Sequence, residues 1–66
     1  MITVNNILNI TNWDVNITIL DSGYHYHFER NDNTSMSTLK TTFGNMNVKD
    51  LRVHPYNHNT IILEVE

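Results

Sequence analysis

The sequence has no cysteine, and only one proline and two glycines among its 66 residues. Without cysteine there is no disulfide framework and no thiolate metal site. A chain of this length buries only about 60% of the surface its unfolded form exposes, so it is marginal by itself. Three sources of stability remain: self-association, a metal held by histidine, or a well-packed small core. One domain is expected, spanning 1–66, and its size makes a homodimer the default.

Positive charge is also scarce. Arg30, Lys40, Lys49 and Arg52 stand against seven carboxylates, for a net charge of −3. Nucleic-acid binders carry a basic patch or stripe, and four separated cations do not form one. Direct binding to nucleic acid is therefore not expected, whereas a basic protein surface would suit the acidic balance. No apolar run approaches the ~18 residues of a membrane span. The opening "MITVNNILNI" lacks the basic start and continuous apolar core of a signal peptide. The expectation is a cytoplasmic protein with no membrane partner.

What the sequence does have is alternation. In "DVNITIL", 14–20, Val15, Ile17 and Ile19 alternate with Asn16 and Thr18, the period of a half-buried strand. "DSG" at 21–23 is a turn cluster, and "YHYHFE", 24–29, alternates again. The pair predicts a β-hairpin. Val15, Ile17, Ile19, Tyr24, Tyr26 and Phe28 would form its buried face, and Asn16, Thr18, His25, His27 and Glu29 its outer face. A second hairpin follows from "LRV", 51–53, and "TIILEVE", 60–66.

Two helical segments fit between and before these strands. In "SMSTLKTTFGN", Leu39 and Phe43 are four apart and Met36 precedes them by three, which puts all three on one face of a short helix of about two turns. Ser35 or Ser37 would cap it, and Gly44 or Asn45 would end it in the left-handed conformation. Near the N-terminus, Thr3 could cap a short helix carrying Val4, Ile7 and Leu8 on one side; an extended arm is the alternative there. The fold class is α+β: a small, mostly antiparallel sheet of two hairpins, crossed by one short helix, with a possible second N-terminal helix.

Chemistry is thinly represented. Ser22, Ser35 and Ser37 are in no nucleophile-elbow pattern, and no carboxylates are paired for acid–base work. A concave pocket is hard to build in so short a chain. No enzyme activity and no cofactor are expected. His25 and His27 lie two apart on a strand, so both point the same way. With His54 or Glu29 they could ligate zinc, yet an alternating strand places polar residues outside in any case. The expectation is that no metal is bound, with a histidine-dependent metal-binding module kept as an alternative.

One motif-level similarity bears on function. Asp14-Val15-Asn16 opens a strand, an aromatic strand runs to Glu29, and a helix carries Leu39, Phe43 and then Gly44-Asn45. Asp50-Leu51-Arg52-Val53 follows. Across roughly 13–53 this order resembles the very small uracil-DNA glycosylase inhibitors of tailed phages. Those proteins are mostly sheet with one helix and act as homodimers. They mimic DNA and enclose the apolar side chain that the enzyme inserts into the duplex.

The resemblance implies that Leu39 and Phe43 line an apolar box and that Glu29 is the polar partner of the interface. It also has departures. Leu39 stands where the family has an aromatic, Phe43 where it has Tyr, and Lys40 where it has an acidic residue. The functional expectation is a phage-encoded inhibitor of a host uracil-DNA glycosylase. A protein that binds another host defence or regulatory protein is the alternative.

Overall fold

The alternating stretches become strands as read. The computed structural model describes residues 1–66. Its elements run α1 (Val4–Ile10), β1 (Asn16–Asp21), β2 (Tyr24–Phe28), α2 (Asn33–Phe43), β3 (Val48–Val53) and β4 (Thr60–Val65). The strands form one sheet in the order β2-β1-β4-β3, and the fold is α+β.

Both hairpins are present and antiparallel, but they meet through a parallel β1–β4 pair. The sheet is therefore mixed. The C-terminal strand lies in its centre rather than at an edge. The near-continuous apolar run Ile61-Ile62-Leu63 suits that place, because a central parallel strand is buried on both faces. Ile62 is buried on the face away from the helices.

The β1–β2 turn is tight. Asp21 pairs with Tyr24, leaving Ser22 and Gly23 as a two-residue loop. Both have positive φ, 52° and 87°, as a type I′ hairpin turn requires.

Thr3 caps α1 as expected. Its hydroxyl accepts from the Asn6 backbone N–H, and the Asn6 side chain accepts from the Thr3 N–H at 2.9 Å. This capping box lets an asparagine-rich segment start a helix, because the amide that is weak inside a helix is strong at its end.

The second helix differs from expectation at both ends. Asp32, not Ser35 or Ser37, is its N-cap, accepting from the Thr34 and Ser35 N–H groups at 2.9 and 3.1 Å. A carboxylate satisfies two unpaired donors and also favours the positive end of the helix dipole. The helix is accordingly longer, 11 residues. Ser35 instead accepts a hydrogen bond from the Glu29 N–H at 3.1 Å.

At the other end Gly44 is right-handed, with φ −54° and ψ −37°. Space rather than handedness demands this glycine. A Cβ there would collide with the Lys40 carbonyl oxygen and lie 2.7 Å from the Asn5 side chain, since α1 begins where α2 ends. The Asn5 N–H donates to the Gly44 carbonyl at 2.9 Å, and the Val4 N–H to the Met46 carbonyl at 3.1 Å.

Both helices cover the same side of the sheet. Val4, Ile7 and Leu8 of α1 join Met36, Leu39 and Phe43 of α2 over Ile17, Ile19, Phe28, Leu63 and Val65. The hairpin face is only partly buried. Tyr24 and Tyr26 are exposed, contrary to the sequence expectation, because β2 is an edge strand and α2 reaches only part of it. No helix is long and apolar enough to cross a membrane.

Candidate partner-binding groove

The apolar stripe of α2 places its three members differently. Leu39 points straight down into the core and has no exposed surface. Phe43, one turn later, reaches the edge of the sheet. Its ring centroid lies 5.2 Å from that of Tyr26 and 5.9 Å from that of Phe28, tilted and edge-on. These offset geometries are the favoured ones for aromatic pairs.

Nothing flanks β2 on its outer side, so this aromatic cluster is open laterally. The result is a shallow groove of about 600 Å³ between α2 and the free edge of β2. Tyr26, Phe28 and Phe43 supply its apolar surface, Thr38 and Thr42 its helical wall, and Asp21 a negative charge. The groove wraps around the strand edge, so His25 and His27 from the opposite face also border it.

Glu29 does not line the groove. It lies one contact away, with its carboxylate 3.0 Å from His27 Nε2. A carboxylate only accepts, so Nε2 carries the hydrogen. Nδ1 then accepts from the Thr18 hydroxyl at 3.2 Å. Both ring nitrogens of His27 are thus engaged within the protein. His54 is held elsewhere, its Nδ1 accepting from the Tyr56 N–H at 3.2 Å. No three histidine or acidic side chains converge to hold a metal ion.

Of the three residues expected at an interface, Phe43 lines the groove, Leu39 forms the packing beneath it, and Glu29 stands beyond His27. The sequence reading missed Tyr26, Thr38 and Thr42. The two threonines are four apart on the helix flank beside the apolar stripe, a spacing visible in the sequence. The exposure of Tyr26 was not visible, because it depends on which strand is at the edge.

The charges of β3 and β4 are paired with one another. On the helix-free face Glu64 is 3.5 Å from Lys49 and 3.7 Å from Arg52, and Arg52 is 3.5 Å from Asp50. The cations of β3 therefore present no basic stripe. The stretch 13–53 contains β1, β2, α2 and β3, while β4, which joins the two hairpins, lies outside it. No protein-family model, curated protein or solved structure matches the chain.

Proposed function

We propose that the protein inhibits a host DNA-repair enzyme, uracil-DNA glycosylase, by holding the enzyme's DNA-inserting apolar side chain in the groove between α2 and β2. The observation that carries this reading is the aromatic-lined groove at an unpaired strand edge. Base-flipping enzymes push an apolar wedge into the duplex, and an interface hot spot is an apolar anchor received in a desolvated pocket. Tyr26, exposed at the groove, offers most of that surface, backed by the buried rings of Phe28 and Phe43. Asp21, Glu29 and the net charge of −3 complement the positive surface of a DNA-binding enzyme. The similarity described above supplies the choice of target.

The same reading has the protein act as a homodimer. The bare outer strand β3, with Leu51 and Val53 exposed, supports self-pairing through that edge. The open backbone of β2 favours a second reading, in which an extended segment of a different host protein adds as a fifth strand beside the groove.

The test is uracil excision from a labelled oligonucleotide by a bacterial uracil-DNA glycosylase, with and without this protein. Leu39 and Phe43 are core residues, so removing them would confound binding with folding. Thr42→Arg, at an exposed position, fills the groove instead. Stoichiometric inhibition by the native chain, lost in Thr42→Arg at unchanged thermal stability, is the expected result. No inhibition at excess protein sinks the glycosylase reading and moves the search to other host proteins. Light scattering on the eluted peak tests the dimer: a monomer at micromolar concentration removes that part of the proposal.

A further inference from the structure

The junction of the two helices holds a second cavity, away from the aromatic groove. It encloses about 360 Å³, within the usual range for small-molecule sites, and Leu8, Thr11, Trp13, Arg30, Met36 and Lys40 are among its lining residues. Its charge is unlike that of the rest of the molecule. The chain has seven carboxylates and four basic residues. No carboxylate lines this cavity, and two of the four cations do.

Arg30 is the unusual member. It is only 8% exposed, yet it forms no ion pair. Buried charges are normally paired, because desolvation is costly. Its Nη1 donates to Thr11 Oγ1 at 3.2 Å and its Nη2 to the Leu8 carbonyl at 2.9 Å. A guanidinium carries five N–H groups, so the rest have no protein partner. Thr60 Oγ1 is the one sealed, unpartnered side-chain atom in the molecule; the Arg30 Nε–H, which has no protein partner, is therefore not fully sealed from solvent. The guanidinium also lies 5.2 Å from the centroid of the Trp13 ring. Trp13 is otherwise 81% exposed. Lys40, also without an ion pair, lines the same cavity from α2.

We infer that this cavity binds a small organic anion, a carboxylate or phosphate attached to a planar or apolar body. The anion would take the free guanidinium N–H groups of Arg30, whose fork matches both oxyanions, with Lys40 adding its charge. The planar body would lie on Trp13 and against Met36 and Leu8. The aromatic groove uses Thr38 and Thr42 on a different flank of α2, so this site is independent of the proposed inhibitory function.

Trp13 is the chain's single tryptophan, so its fluorescence reports the site directly. The probes are AMP, benzoate, inorganic phosphate and, as an uncharged control, adenosine. Each is titrated into the full chain, with amide and guanidinium NMR shifts recorded alongside. Saturable quenching by AMP or benzoate is expected, with shifts at Arg30 Nε–H, Asn9 and Asn33. AMP against benzoate tells phosphate from carboxylate. Lys40→Ala, at an exposed helical position, should weaken binding about tenfold, the scale of one charge-assisted hydrogen bond, without altering the fold.

Three results would overturn the inference. One is the absence of saturable change with any anion in the folded protein. Another is adenosine binding as tightly as AMP. The last is Lys40→Ala binding as tightly as the native chain.

Discussion

The two edges of the sheet are built from similar residues and treated differently. On the helix side β2 presents Tyr24, Tyr26 and Phe28, and β3 presents Leu51 and Val53. α2 roofs only the Phe28 end of the β2 edge, where its Phe43 rests on Tyr26 and Phe28, and leaves Tyr24 exposed. The β3 edge has no such roof: Leu51 is 47% and Val53 60% exposed. An apolar residue on an alternating strand is thus no guarantee of burial. What decides is whether a helix crosses that part of the sheet. The roofed edge has an apolar floor and an open side, the shape of a recognition groove. The bare edge offers the open backbone and apolar side chains that favour pairing with another strand.

The contrast is broken most severely from the roof. Leu39→Ala should cost about 2–5 kcal/mol, the range for truncating a buried leucine. Small cores rarely supply more than about 3–5 kcal/mol in all, so urea unfolding should find this variant largely unfolded. Leu51→Ala on the bare edge should stay within about 0.5 kcal/mol of the native chain, as surface changes do. Equal losses for the two would mean that β3 is covered in solution, as a dimer through that edge requires.

A smaller break comes at the joint that sets the roof in place. Gly44→Ala puts a methyl against the Lys40 carbonyl and against Asn5, where α1 starts. Overpacking of this kind costs about 1–3 kcal/mol. The change should appear as a lower thermal midpoint and as faster amide exchange at Val4 and Asn5, whose N–H groups bond to Met46 and Gly44. Native-like stability would show that the joint yields easily.

The smallest effect sharpens the comparison. Ser22 has a positive φ, which asparagine tolerates better. Ser22→Asn makes the turn Asn-Gly, the preferred type I′ pair, and should add on the order of 0.5 kcal/mol, the low end for stabilising changes. The gain should be read by chemical denaturation and confined to the β1–β2 hairpin in hydrogen exchange. An equal gain of protection in β3 would show that the two edges open together.

Much of the local structure was legible in the chain. Alternation located both hairpins, Asp21-Ser22-Gly23 located the turn, and Thr3 located the first helix. These depend on neighbours within a few residues, and backbone geometry acts at that range. The ends of α2 were misread for the same local reason. Serine and aspartate both cap helices, and only the hydrogen bond from Glu29 to Ser35 removes the serine from that role. Gly44 has a turn-like sequence context, but its necessity lies in two close contacts, with the Lys40 carbonyl one turn before it and with Asn5, almost forty positions away.

The candidate sites were less legible than the strands. Phe43 could be singled out from its spacing to Leu39, but spacing alone does not tell the groove-lining residue from the one beneath it. In the sequence Arg30 is one of four separated cations. Its burial against Leu8 and Thr11 arises only when α1 and α2 run past each other.

The sequence by itself determined that this is an α+β chain with alternating strands, a helix with one apolar stripe, an N-terminal segment able to form a capped helix or an extended arm, and too little positive charge for a basic surface. Those properties follow from side-chain period, capping chemistry and composition, all readable along the chain. The tertiary structure alone decided that the last strand sits in the middle of the sheet. It also left β2 and β3 as the edges, put Tyr26 on the open side of the aromatic cluster with Phe43 buried behind it, and buried Arg30 without a carboxylate partner. The physical reason is that burial depends on which surfaces meet, and here residues 16–21 meet residues 60–65 across most of the chain.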